Sequence, residues 1–546
     1  RIQRMKFSTL TTSDLREAFQ DLNEFDREQT EAGLTRHILD WYYGINLSRA
    51  LMIAVKSQDR YKSLSTGRVQ GPALKILADR EREIQEFEPE DYWELYLLFQ
   101  GVEAQHVNGR FWDEDTADSI IDAVKGEDAT VSDIDRNRYK HHPPSPFNLT
   151  DLQNEAYSQF NISPKKTQQL AQNLYEASLI SYPRTSSQKL PKKIGYGSIL
   201  GKLAKQDAYS ERAQQVLDMD SIYPNQGKKK DEAHPAIHPT GVQPDDLSGQ
   251  EKKVYDLIVK RFLATFGEPA QRESLTITLE IDGEQFEAKG KRTLERNWYE
   301  LYDPYIKTKE FELPDLSKGE TISIDEVEKR DKETQPPKRY TQSSLVSELE
   351  EKGLGTKATR ANIVESLYDR KYIKERSIKV TDIGMAVVEA LEDGCPEILS
   401  PDLTREFEQQ MEAIRDGTTS REEVLQHARE TLEDILEAFK EQEEDIGKVL
   451  IDAIDRTREK ERQLGPCDVC DDGTLRIIKT NNGRFVGCSN YPDCENSYPL
   501  PRNGKIKGLK NACDECGKPR IKVIRKGKKP YYMCIDPDCP TKDDWD

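Results

Sequence analysis

Tyr182 and Arg184 stand two residues apart in the run LISYPRTSSQKLP, Leu179 to Pro191. A phenol with a pKa near ~10 is a nucleophile only where a cation favours its anion. A guanidinium can do this and can also hold two phosphate oxygens with its fork. Pro183 fixes the backbone between the two, and alternate residues of an extended segment face the same way. The chemistry such a pair could do is attack on a phosphodiester, with the phosphate kept as a covalent ester. In a chain with 23 tyrosines, however, a Tyr-Pro-Arg step is by itself an ordinary strand end or turn.

A second chemistry is written in the cysteines. Eight of nine fall in the last 80 residues, as Cys467, Cys470, Cys488 and Cys494, then Cys513, Cys516, Cys534 and Cys539. Each set is C-x2-C, a spacer of 17 residues, and a second close pair. Paired C-x2-C knuckles favour tetrahedral zinc thiolate over a disulfide framework, so two structural Zn2+ sites are expected. Cys395, left over, is expected to be simply buried.

The elements that must position these groups can be read in outline. At 546 residues, 33% of them charged, and with a mean hydropathy of −0.82, the chain should be soluble and hold roughly three to five domains. No apolar run approaches the ~20 residues of a membrane span, so no membrane partner is expected. No signal peptide is visible at Arg1, and a cytoplasmic location follows. The first residue is not Met, which leaves open a start inside a longer protein. The net charge of −19 excludes a uniformly cationic nucleic-acid binder but not a local one: residues 502–529 hold eleven Lys and Arg against two acids.

SDLREAFQDL reads as a helix with Ser13 as N-cap, and a second helix is expected from Thr35 through Ala54. LSTGRVQGPAL places a tight turn before a helix starting at Gly71-Pro72, a shape suited to backbone phosphates. YWELYLLF, ATVSDI, SLTITLEI and EQFEAKG alternate as strands, the last two forming a hairpin at Asp282-Gly283. Between them, about 150–267, lies a helical block carrying Tyr182 and the Pro-punctuated loop DEAHPAIHPTG with His234 and His238. Beyond Gln335 helices return with a short β element, winged-helix-like, and 406–463 reads as packed helices followed by an exposed arm.

Taken in order, WYYGINLSRAL, STGRVQ, LISYPRT, DEAHPAIHPT, QPPKRYT, EKGLG, VTDIG and GCSNYPDC resemble the type IA DNA topoisomerases, of the archaeal topoisomerase I and topoisomerase III kind. The resemblance covers nearly the whole chain. It implies an α+β multidomain toroid: helical base domains, a β-rich arch, a helical tyrosine-bearing lid, and two C-terminal zinc ribbons. The expected divisions are base 1–88, arch 89–147, tyrosine module 148–268, arch 269–335, base and arm 336–463, and ribbons 464–500 and 501–546.

The resemblance also implies a mechanism and its residues. Tyr182 would form a 5′-phosphotyrosine with single-stranded DNA, another strand would pass, and religation would follow without ATP, relaxing negative supercoils. Arg184 would steady the scissile phosphate and His234 would join a proton or phosphate network, while His238 carries no assignment. Arg36, Asp40, Ser65, Thr66, Gly67, Arg68, Val69, Gln70, Thr359 and Arg370 would contact DNA, mainly through phosphate and sugar. The protein is expected to act as a monomer associated with the nucleoid.

The chain also departs from the family pattern. Ser186 stands where many members have Asp, and Gln342 where many have Glu. The Toprim domain, which in the family carries a catalytic Glu and the acidic Mg2+ site, is expected to be missing. It would lie on the same precursor or on a separate chain, and alone this chain should cleave poorly. A non-catalytic zinc-ribbon DNA-binding protein and a fragment of a reverse gyrase are the competing readings.

Overall fold

In the computed structural model, which describes residues 2–480 and 483–542, the chain forms two compact units. Arg1 and residues 543–546, at the outer ends of the first and last expected domains, lie outside the described residues. One unit comprises residues 1–42, 68–379 and 400–429; the other comprises 43–67, 380–399 and 430–546.

The first unit is organised by one antiparallel sheet of seven strands. In spatial order these are Thr321–Ile322, Ala129–His141, Ala270–Ile281, Glu284–Glu295, Val102–His106, Asp91–Phe99 and Glu326–Glu333. The two β regions read separately in the sequence are thus one sheet. The hairpin turn falls at Asp282-Gly283, both with positive φ (48° and 81°), the conformation a two-residue turn between twisted strands requires. Inward positions such as Leu95, Leu97, Val131, Ile277, Leu279 and Phe286 form its core.

The helical block is inserted where two strands of this sheet end. Ala129–His141 and Ala270–Ile281 run antiparallel so that His141 pairs with Ala270, which brings the block's entry and exit side by side. The block has its own core, including Leu152, Leu174, Ile180, Leu200, Ile258 and Phe262. Its helices begin where the sequence supplies caps. Asn148 caps Leu149–Phe160, Ser163 caps Pro164–Glu176, and Ser248 with Glu251 forms a capping box on Gly249–Ala264.

Elsewhere in this unit, helices Gln342–Glu351 and Arg360–Asp369 flank the loop 352–359. Arg339 of the RYT run grips the buried carboxylate of Glu81 with two hydrogen bonds, 2.9 and 3.0 Å, fixing the chain at the start of these helices.

Three boundaries differ from the sequence reading for identifiable reasons. The cap of the first helix is Thr11, whose hydroxyl accepts from Asp14 N–H, and Ser13 lies inside the helix. The second helix spans Arg27–Ser57, longer than expected, because Asp26 accepts from Gln29 N–H (2.8 Å) and starts it earlier. The third is Gln70–Gln85, with Pro72 tolerated in its first turn.

In the second unit, helix Glu443–Arg462, part of the segment expected to run into an exposed arm, buries Ile446, Gly447, Leu450, Ala453 and Ile454. Gly447 sits on the helix segment 43–57: a Cβ there would lie 2.2 Å from the carbonyl oxygen of Ala54. Gly447→Ala should therefore push two backbones apart and destabilise this unit by about 1–3 kcal/mol, read as a lowered denaturant midpoint. An unchanged midpoint would mean that the helices are not in close contact there.

The two ribbons complete this unit, as sheets of four and three antiparallel strands. They share one apolar core, formed by Leu475, Ile477, Val486, Tyr498 and Leu500 from the first and Ile521, Val523 and Ile535 from the second. Lys518 of the second ribbon pairs with Asp468 of the first (3.5 Å) and lies over the Tyr498 ring.

Candidate active site

Residues 181–190 alternate between buried and partly exposed up to Gln188, which puts Tyr182, Arg184, Ser186 and Gln188 on the more open side. The strip is held on its buried side by the histidine loop. Ser181 N–H donates to the carbonyl of His238 (2.9 Å), His238 N–H to Ser181 Oγ (3.0 Å), and Thr240 N–H to the carbonyl of Leu179 (3.0 Å). The motifs LISYPRTSS and DEAHPAIHPTG, some fifty residues apart, are therefore one paired structure. At its tip Thr185 N–H bonds the carbonyl of Pro183 (2.9 Å), a tight turn centred on Arg184.

Tyr182 lies between two rings, Tyr175 at 5.3 Å edge-on and His234 at 4.6 Å. Its backbone N–H donates to the carbonyl of Ser8 (2.8 Å), and Ser8 Oγ is 3.4 Å from His234 Nδ1. The N-terminal segment thus reaches the tyrosine, a contact 174 residues distant in sequence that no local pattern could show. Thr185 Oγ1 donates to the carbonyl of His234 (3.2 Å). Burial holds His234 below the ordinary histidine range; the charge of Asp231 opposes this, while Lys357, Lys6 and Arg4 add to it. A cavity of about 780 Å3 opens alongside, lined among others by Lys6, Ser8, Lys189, Lys230 and His234.

Arg184 Nε is buried and has no hydrogen-bond partner among the described residues. A buried guanidinium N–H without an acceptor is costly, and a phosphate oxygen is an acceptor of matching charge and geometry. His238 is fully buried, its Nδ1 donating to the carbonyl of Ala236 (2.9 Å), which accounts for it as a loop residue.

The remaining candidates fall into other groups. Arg68, 4% exposed, donates through Nε to Asp40 (2.8 Å) and through a terminal nitrogen to Glu408 (3.4 Å); Arg36 holds the same Glu408 with both terminal nitrogens. Glu408, which the sequence did not single out, thus ties Arg36 and Arg68 together. Val69 is the N-cap position of the helix that Gln70 opens. Thr66 exchanges two 3.2 Å bonds with Ser48 Oγ, within the turn Ser65-Thr66-Gly67. Thr359 precedes helix Arg360–Asp369, accepting from Thr356 N–H (2.9 Å), and Arg370 follows its end.

The cysteine sets are brought together as metal-binding clusters. Within each, all four sulfurs lie within 4.8 Å of one another. The contacts Cys467–Cys494 at 3.8 Å, Cys470–Cys488 at 3.6 Å, Cys513–Cys539 at 3.6 Å and Cys516–Cys534 at 3.4 Å are far beyond a disulfide bond. They approach the ~3.8 Å edge of a tetrahedron with Zn–S near 2.3 Å. Gly473 permits this, since a Cβ there would meet Cys488 Sγ at 2.4 Å. Both sets fit Zn2+. Among the described residues, the two cysteine sets are the groups of three or more ligand side chains brought within metal-binding distance. Cys395 is buried, and burial pushes its thiol up to about 12, which leaves it inert.

The described helices include none long and apolar enough to cross a membrane. A family model described as DNA topoisomerase matches residues 24–426, and one described as topoisomerase DNA binding C4 zinc finger matches 465–503. DNA topoisomerase 1 of Methanocaldococcus jannaschii is 46% identical over 544 residues, covering 99% of this chain and 70% of that protein. DNA topoisomerase 1 of Pyrococcus horikoshii is 44% identical, covering 100% and 80%. The full-length topoisomerase I of Thermotoga maritima, a solved structure, superposes with a TM-score of 0.66 at 26% identity, covering 94% of this chain and 82% of that one.

Proposed function

Because this chain belongs to the type IA DNA topoisomerase family, we propose that it relaxes negatively supercoiled DNA through covalent attack by Tyr182. The tyrosine hydroxyl loses its proton as its oxygen bonds to phosphorus of a single-stranded segment, and the 3′-oxygen of the preceding nucleotide leaves and takes up a proton, so no proton is gained or lost overall. The 5′-phosphotyrosine retains the bond energy, so no ATP enters the cycle. After another strand has passed, the 3′-hydroxyl loses its proton and attacks phosphorus, the tyrosine oxygen departs and is reprotonated, and the strand is restored. Arg184 neutralises the charge that gathers on the phosphate oxygens during both attacks. His234, whose basicity burial lowers, lies against the tyrosine ring as a hydrogen-bonding partner for the reacting groups.

The observation that carries this reading is the orphaned Nε of Arg184, two residues from a tyrosine whose ring lies 4.6 Å from that of a histidine, tilted by 46°. DNA is the partner, and Arg36, Asp40, the STGRVQ turn (Ser65 to Gln70), Thr359 and Arg370 are assigned to its backbone. The two ribbons bind Zn2+. The acid that protonates the leaving 3′-oxygen, and the Mg2+ site, are assigned to a Toprim domain outside these 546 residues, on the same precursor or a separate chain. The protein is assigned to the cytoplasm, as a monomer on the nucleoid.

Labelled single-stranded DNA incubated with this chain, Mg2+ and a purified Toprim domain should yield a covalent adduct. After nuclease trimming, its mass should map to the peptide containing Tyr182, and omission of the Toprim domain should remove most of it. Attachment at another residue overturns the nucleophile. Relaxation of supercoiled DNA by this chain alone with Mg2+ overturns the need for Toprim.

A further inference from the structure

Asp231 opens the DEAH run three residues before His234, and its carboxylate is the most heavily engaged group near the tyrosine. Its side chain is 5% exposed. Oδ2 accepts from both the N–H and the hydroxyl of Ser186, each at 3.1 Å, and from Lys357 Nζ. Oδ1 accepts from the N–H groups of Ala233 (3.0 Å) and His234 (3.3 Å). Five donors saturate a carboxylate's lone-pair directions. Burial alone would raise its pKa, but the donors, Lys357 foremost, outweigh burial and hold it well below the carboxylate range.

The donors come from three stretches of chain. Ser186 belongs to the tyrosine strip, Ala233 and His234 to the histidine loop, and Lys357 to the loop between helices Gln342–Glu351 and Arg360–Asp369. One carboxylate therefore sets the distance between the tyrosine strip and the histidine loop, and one lysine from outside the module sets the carboxylate.

We infer that Asp231 is a positioning residue that, with Lys357, fixes the imidazole of His234 against the ring of Tyr182 for cleavage and religation. It rests on the roles given above to Tyr182 and His234. Asp231 does so sterically, through the loop N–H groups, and electrically, as the negative charge facing His234. Opposing it are Lys357, Lys6 and Arg4, and the neutral groups against the imidazole are the Tyr182 ring and Ser8 Oγ. A residue that merely tied down a loop would need only the first of these effects.

The two effects separate in a charge cycle. Histidine Cε1–H signals of the whole chain are titrated by NMR, with His234 assigned by loss of its signal in His234→Asn. Asp231→Asn removes the anion and leaves Lys357 uncompensated, so the His234 midpoint should fall by about half a pH unit or more. Lys357→Met removes a cation, and the midpoint should rise. The double variant should return close to the unsubstituted value. With the Toprim domain supplied, Asp231→Asn should also slow adduct formation roughly tenfold or more at neutral pH, and the pH profile should move in the same direction as the His234 midpoint.

Midpoints that do not move, or that move the same way in both single variants, overturn the inference. So does an unchanged adduct rate in Asp231→Asn when Tyr182→Phe abolishes the adduct. Persistence of the adduct in Tyr182→Phe would instead defeat the nucleophile assignment itself. Lys357 is partly exposed, so its variant remains informative even if Asp231→Asn does not fold.

Discussion

Tyr182→Phe, assayed with a Toprim domain and Mg2+, should lose covalent DNA complex formation and relaxation by at least about four orders of magnitude. The substitution removes one oxygen and nothing else, and in this structure that oxygen has no hydrogen-bond partner among the described residues. The ring keeps its contacts with Tyr175 and His234, and the backbone N–H keeps its bond to Ser8. Thermal stability should therefore change by no more than about 0.5 kcal/mol, and affinity for single-stranded DNA should be retained. The pairing of a large chemical loss with an intact fold and intact binding is what separates a nucleophile from a structural tyrosine. A variant that binds DNA normally and still forms the adduct would remove Tyr182 from the mechanism.

Loss of zinc should have the second large effect, and it should cross from one ribbon to the other. Structural zinc contributes about 10–16 kcal/mol of apparent free energy to small thiolate modules. Here the two modules lean on one core, with Ile521, Val523 and Ile535 packed among Leu475, Val486 and Tyr498. Cys534→Ser in the second ribbon should lower the bound zinc from two ions per chain and also expose residues 463–500 to protease, although all four ligands of the first site remain. The helical module and the seven-stranded sheet have their own cores and should melt as before. If the first ribbon kept its zinc and its protease resistance, the shared core would contribute little.

Much of the candidate site could be nominated from the sequence because its signals are local. C-x2-C spacing places two thiolates on one knuckle, and Tyr182 and Arg184 are separated by a single proline. The caps at Asn148, Ser163 and Ser248 are of the same kind, since each lies within three residues of the N–H it satisfies. Local reading failed where two caps competed: Thr11 and Ser13 are both good N-caps, and backbone geometry selected the first. It failed again at Asp26, where an acid before a helix looked no different from its many charged neighbours.

The pairing of distant segments was not legible. Ser8 against Tyr182, Glu408 between Arg36 and Arg68, and Lys357 on Asp231 join residues 126 or more positions apart. Each is an ordinary polar residue whose role exists only once helices and loops have packed. By itself the sequence nominated the groups for the proposed chemistry: one tyrosine with its arginine, a histidine loop, and two sets of four thiols, because these depend on residue type and short spacing. Only the tertiary structure decided what surrounds them: a ring against Tyr182, an unfilled donor on Arg184, a carboxylate saturated by three stretches of chain, and one core under two ribbons. Burial and long-range proximity set those properties, and neither is encoded in any local run of residues.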